Sequence, residues 1–198
     1  MAAADATQPS DSGRGGAPGV VIVMGVSGSG KTTIGRQLAR RMAGVFADAD
    51  SFHPPANIEK MKAGHPLTDD DRWPWLDAMA AQIGQWLADG QPAVLACSAL
   101  KRVYRDRLVG HQPEGGRPGV AFLYLSGSEA VIAARLANRK GHFMPPALLR
   151  SQFETLEPPG DGERVVTVDI RHPPRRIVDI AARRLGLGAQ ASRATDGA

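Results

Sequence analysis

The chain has 198 residues, 42% of them hydrophobic and 22% charged, which is enough for one α/β domain with its own core and too little for two. No apolar run approaches bilayer-spanning length, and the single cysteine, Cys97, excludes an internal disulfide and a cysteine-based metal cluster. A pI of 9.6 could suit nucleic acid, but the net charge is only +4 and the dispersed, mostly Arg cations fit phosphates and a small anion better.

Residues 1–18 are mainly Ala, Gly, Ser, Asp and Pro without the apolar centre of a signal peptide, so they are expected to be a disordered leader on a cytoplasmic protein. The run 20–24 is expected to be a buried strand. It feeds Gly25-Val26-Ser27-Gly28-Ser29-Gly30-Lys31-Thr32, the pattern G-x-x-x-x-G-K-[ST] between a strand and a helix. Glycines let such a loop curl until several N–H groups face one anion, and the helix start adds partial positive charge. Gly25 to Thr33 are therefore the candidate nucleotide-binding set: Gly25, Val26, Ser27, Gly28, Ser29, Gly30, Lys31, Thr32 and Thr33. Lys31 would reach the β- and γ-phosphates of a nucleoside triphosphate, and the Thr32 hydroxyl would bind Mg²⁺.

A helix over 31–42 leads to a second strand, 44–48, and to Asp48-Ala49-Asp50-Ser51-Phe52-His53-Pro54. Two residues apart on an extended segment, Asp48 and Asp50 would face the same crevice. One carboxylate could hold water on Mg²⁺ and the other could accept a proton from an attacking hydroxyl. Asp50 or Ser51 could also simply cap the helix expected over 54–62. His53 stands at the mouth of the same crevice and is a candidate substrate contact.

The stretch 68–76 packs Asp69, Asp70, Asp71, Arg72, Trp73 and Trp75 together, which reads as an acidic helix start with aromatic core anchors for a helix over 74–89. The planar Arg72 fork suits a carboxylate or phosphate. After a third strand, 93–97, come Ser98, Lys101 and Arg105 at the start of a helix over 101–109. No nucleophile elbow surrounds Ser98, so binding of a polar, acidic substrate is the better reading. Segment 110–119 is a loop, 120–125 a fourth strand, and 128–138 a helix with Ser128 as its cap.

Arg135 and Arg139 share a face of that helix, and Gly141-His142-Phe143-Met144-Pro145 follows. A closing arginine-bearing lid at about 139–147 would bring cations to a moving phosphoryl group and exclude water, so Arg135 and Arg139 are candidate catalytic and nucleotide-binding residues, and His142 a substrate contact. Helices over 146–153 and 174–185 flank a last strand, 164–168, before a polar tail, 186–198. The alternation implies a five-stranded parallel sheet between two helical layers, its strands buried on both faces, with ligands beyond their carboxyl ends.

These segments together closely resemble gluconate kinase of the small phosphate-loop type. The resemblance rests on the Gly25–Thr32 loop, on Asp50-x-x-His53-Pro54-x-x-Asn57-x-x-Lys60-Met61, and on Gly64-x-Pro66-Leu67-Thr68-Asp69-x-Asp71-Arg72-x-Pro74-Trp75-Leu76. It continues through Cys97-Ser98-Ala99-Leu100-Lys101-x-x-Tyr104-Arg105-Asp106, Arg135-Leu136-x-x-Arg139-x-Gly141-His142-Phe143-Met144-Pro145 and Leu148-Leu149-x-Ser151-Gln152-Phe153-x-x-Leu156-Glu157. It implies a nucleoside-monophosphate-kinase-like fold with a lid, ATP and Mg²⁺, transfer to the 6-hydroxyl of D-gluconate, and a homodimer. Within it, Asp50 is placed to meet the substrate hydroxyl and Asp48 to serve Mg²⁺. Ala49 stands where the family usually has Gly, and Thr32 replaces a more usual Ser.

A shikimate kinase would share Lys31 and the two aspartates but is not expected to carry Cys97-Ser98-Ala99-Leu100-Lys101 or Gly141-His142-Phe143-Met144. A guanine-nucleotide switch would need an N-K-x-D element, which the chain lacks.

Overall fold

Five short apolar runs become parallel strands because each is followed by an amphipathic helix that returns the chain to the same edge. They are β1 (Val20–Met24), β2 (Val45–Asp48), β3 (Ala93–Ala96), β4 (Val120–Ser126) and β5 (Val165–Asp169), arranged β2-β3-β1-β4-β5. The computed structural model describes residues 16–110, 119–137 and 146–187. Arg139, His142 and most of the expected lid, the interior of the 110–119 loop, and most of the leader and tail lie outside the described residues.

The two faces of β1 seed two cores. Val21 and Val23 pack with Ile34 and Leu38 of α1 (Lys31–Arg41), Ile132 of α5 (Glu129–Ala137) and Ile177 and Ala181 of α7 (Pro174–Arg184). Ile22 and Met24 face Leu76, Met79 and Ile83 of α3 (Asp69–Ala88) and Leu108 of α4 (Arg102–Val109). The sheet is thus the middle of three layers, as the sequence implies. Burial on both faces holds for β1, β3 and nearly all of β4 but not for β2 and β5. Those two are the sheet edges, and Val45 of β2 is 40% exposed.

Two other expectations shift. Helix α3 begins at Asp69, not Pro74, because Thr68 and Asp71 form a reciprocal capping box. Pro74 therefore sits inside the helix, where it costs one early N–H bond. Lys60 of α2 (Pro55–Lys62) and the Thr68 N–H bind the Asp71 carboxylate, and Asn57 Nδ2 donates to its carbonyl at 2.8 Å. The Lys60 bond first, then the Thr68 N–H, hold the Asp71 carboxyl at about 2. The second shift is Ala49–Phe52, a 3₁₀ turn rather than extended chain.

The chain leaves β1 toward β2 and leaves β3 toward β4. Connections therefore part at the β1–β3 pair, the place where open α/β sheets leave a crevice at the strands' carboxyl ends.

Candidate functional site

A cleft of about 900 Å³ opens at that crevice. Its first wall is the loop between β1 and α1. Gly28 and Gly30 adopt φ of 82° and 100°, which side chains rarely tolerate, and a Cβ on Gly28 would lie 2.9 Å from Leu136. Gly25 donates its N–H to the Ser98 carbonyl at 3.3 Å, and Val26 is buried beneath the loop. Ser29 is 1% exposed, and its hydroxyl has no hydrogen-bond partner among the described residues.

Lys31 folds back so that Nζ donates to the Gly25 and Val26 carbonyls at 3.0 and 3.2 Å. Burial pulls its ammonium below the ordinary value, against the upward pull of the nearby Asp48 and Asp50 carboxylates. An anion arriving in the cleft would meet a cation already stripped of much of its water. Burial also pushes the adjacent Cys97 thiol up to about 12, so it stays protonated and inert. Ser27, Gly28, Gly30, Thr32 and Thr33 line the cleft with Lys31, while Gly25, Val26 and Ser29 support it from beneath.

The opposite wall starts at Asp48. Its Oδ2 accepts from the Thr32 hydroxyl at 3.1 Å, and its Oδ1 accepts from the Asp50 N–H at 3.3 Å. Asp48 is thus the cap of the 3₁₀ turn, and Asp50, two residues on, lies within it, exposed in the cleft. Both aspartates line the cavity as the spacing suggests, although by a turn and not by an extended strand. Ala49 needs no left-handed backbone, and its carbonyl accepts from Trp75 Nε1 at 2.7 Å, so alanine is accommodated in place of glycine.

His53 stacks flat on Trp75, ring centroids 4.5 Å apart. Burial lowers its pKa, Asp50 opposes that shift, and Arg72 reinforces it. Its Nδ1 is buried without a partner among the described residues.

Arg72 lines the cleft beside Tyr104. One carboxylate organises this region: Asp69 accepts from Lys101 Nζ at 2.7 Å, from Arg72 at 3.2 Å and from the Tyr104 hydroxyl. The Lys101 and then the Tyr104 hydrogen bonds hold the Asp69 carboxyl below its usual range. Two cations against one anion leave the Asp69 cluster, at the Arg72 end of this wall, with a net positive charge. Ser98 reaches the cleft, but Lys101 stands behind it.

Arg105 corrects the sequence reading. It is 1% exposed and does not line the cleft. Its guanidinium forms a bidentate pair with Glu163 and donates to the Ala99, Leu100 and Glu157 carbonyls at 3.0–3.1 Å. Burial opposes the Glu163 charge, but hydrogen bonds from Arg105 and the Gly160 N–H outweigh it and lower its pKa. All these bonds fix the loop after β3, where Ala99 adopts φ 45°, so Arg105 is a structural staple rather than a substrate contact.

Arg135 lines the far end of the cleft and donates to the Ile170 carbonyl. Polar and aromatic lining residues to which the sequence reading gave no site role include Trp75, Tyr104 and Gln152. Trp75 was legible only as a core anchor, Tyr104 only as part of the family motif, and Gln152 lies on α6 (Pro146–Thr155), far along the chain from the loop it touches. Among the described residues no helix is long and apolar enough to cross a membrane.

Comparison with known proteins gives consistent results. The AAA domain family matches residues 20–159. A gluconokinase of Gluconobacter oxydans (strain 621H) is 47% identical over 157 residues, covering 79% of this chain and 85% of its own. The crystal structure of a gluconokinase from Sinorhizobium meliloti 1021 aligns with a TM-score of 0.74 at 50% identity, covering 86% of this chain and 93% of the other. A deoxyadenosine kinase from M. mycoides, 12% identical with a TM-score of 0.57 over 84% of this chain and 98% of its own, shares the fold alone.

Proposed function

Because the chain belongs to the gluconokinase family and is therefore a phosphotransferase, we propose that it moves the terminal phosphoryl group of ATP to the 6-hydroxyl of D-gluconate, giving 6-phospho-D-gluconate and ADP. The observation that carries this reading is one cleft with a phosphate-loop wall of Lys31 and Thr32 facing a wall of Asp50, His53 and Arg72. Phosphoryl transfer asks the protein mainly for positioning and for compensation of spread negative charge. The loop N–H groups and Lys31 hold the triphosphate, and the dehydrated Lys31 ammonium stabilises charge as the bond to the leaving oxygen lengthens.

Asp50 accepts the proton of the attacking 6-hydroxyl, or at least aims it. Arg72, with the net positive cluster around Asp69, receives the gluconate carboxylate. Ser98 and neutral His53 hydrogen-bond the chain of hydroxyls between them. Arg135 neutralises phosphate oxygens at the nucleotide end, joined by Arg139 in the lid expected from sequence, where His142 contacts the substrate. Thr32 Oγ1 and Asp48 Oδ2 form a hydroxyl–carboxylate pair suited to Mg²⁺, which takes few protein ligands and keeps waters and phosphate oxygens. Bound there, it would neutralise charge on the β- and γ-phosphates. The working form is read as a cytoplasmic homodimer.

The test is ADP release measured against D-gluconate, shikimate, nucleoside monophosphates and pantothenate. Gluconate should give the highest kcat/KM. Faster turnover of shikimate or a nucleoside monophosphate overturns the assignment.

A further inference from the structure

The segment Leu148-Leu149-x-Ser151-Gln152-Phe153 has no role in the reaction just described. Leu149 and Phe153 anchor α6 in the core, and this turns Gln152 toward the phosphate loop. Gln152 Oε1 accepts the Ser27 N–H at 2.7 Å, and its Nε2 donates to Ser27 Oγ at 3.1 Å. The first bond fixes which way the amide points, because only its oxygen can face a backbone N–H.

A primary amide carries two N–H donors. One is given to Ser27 Oγ. The other has no partner among the described residues, and Gln152 lines the cleft. Its place along the loop matters. Gly28 lies under Leu136 of α5, the helix that carries Arg135, while Gly25 is bonded to the Ser98 carbonyl near the acceptor wall. On the phosphotransfer reading, a triphosphate laid along the loop with its nucleoside toward α5 would end near Ser27, which lines the same cleft as Lys31 and Asp50.

We propose that Gln152 is a further catalytic residue, whose spare amide N–H hydrogen-bonds the phosphoryl group being transferred. This rests on the phosphotransfer reading above. The donor is neutral, pre-aimed by two bonds to Ser27, and already in place before charge develops, the arrangement that stabilises a transition state without reorganisation. It also makes Gln152 specific for the terminal phosphate: ADP leaves that position empty.

The experiment compares Gln152→Glu and Gln152→Leu with the unaltered protein. Binding of Mg–ADP and of a non-hydrolysable Mg–ATP analogue is measured by calorimetry, with turnover on gluconate and the thermal midpoint of each variant. Gln152→Glu keeps the acceptor for the Ser27 N–H and replaces the spare donor with an anion. It should weaken the analogue at least about tenfold more than ADP and lower kcat about 10²-fold, the scale of one lost transition-state donor. Gln152→Leu should show the same selectivity with a smaller loss.

Equal weakening of ADP and analogue, or a Gln152→Glu kcat within about threefold of the unaltered enzyme, overturns the proposal. A fall in ADP affinity together with the thermal midpoint would mean that Gln152 only braces the loop, and this also overturns it. If the unaltered protein fails on gluconate while the analogue-over-ADP difference persists, the substrate assignment fails and the role of Gln152 stands.

Discussion

The two walls of the cleft are built in opposite ways. The phosphate-loop wall is one continuous segment, Gly25 to Thr33, whose function resides largely in backbone N–H groups and a helix start. The acceptor wall draws single side chains from the 3₁₀ turn, the 53 position, α3, the loop after β3 and α4, and it coheres through Asp69 and Arg105. A local wall tolerates change elsewhere in the fold. An assembled wall depends on groups that never touch a ligand, so distant substitutions should impair the acceptor while sparing the nucleotide.

The two aspartates give the largest expected effect, because they sit at the seam between the walls. Asp50→Asn keeps shape and most hydrogen bonding but removes the base. It should cut kcat about 10²–10⁴-fold with ATP affinity near normal, the usual span for general-base catalysis. Asp48→Asn should instead raise the Mg²⁺ concentration for half-maximal rate. Titrations of rate against Mg²⁺ for both variants check this. If Asp50→Asn moves only the Mg²⁺ requirement while Asp48→Asn abolishes turnover, the roles are reversed.

A smaller but more discriminating effect comes from the staple behind the acceptor wall. Arg105→Met leaves the buried Glu163 carboxylate uncompensated and should cost about 3–5 kcal/mol of stability by denaturant unfolding. In the fraction that stays folded, KM for gluconate should rise while nucleotide affinity is kept, because the loop at Ala99 and Leu100 loses its anchor. Arg105→Met combined with Glu163→Met should recover much of the stability, since two apolar groups replace a buried pair. Equal losses for gluconate and nucleotide would erase the distinction between the walls.

The same contrast explains what was legible in the sequence. The phosphate loop could be read because its chemistry is contiguous and its glycines are demanded by local backbone angles. The parallel sheet and its three layers followed from alternating apolar runs. The start of α3 was misjudged because Pro74 signals a helix start more loudly than the Thr68–Asp71 box five residues earlier. Arg105 was taken for a ligand residue because Glu163 lies 58 positions away, and no spacing rule links them. Tyr104 and Gln152 were passed over for the same reason: the partners that define them, Asp69 and Ser27, are distant in sequence. Exposure at β2 and β5 followed strand order, which apolar content alone does not encode.

In the proposed reaction the phosphoryl group crosses from the loop wall to a primary hydroxyl held at Asp50. The proton-coupled ³¹P spectrum of the product reads this directly. Phosphate on the 6-position is bonded through a CH₂ group and should appear as a triplet growing in step with ADP. A doublet would place it on a secondary hydroxyl, and inorganic phosphate alone would mean that water is the acceptor; either result contradicts the account.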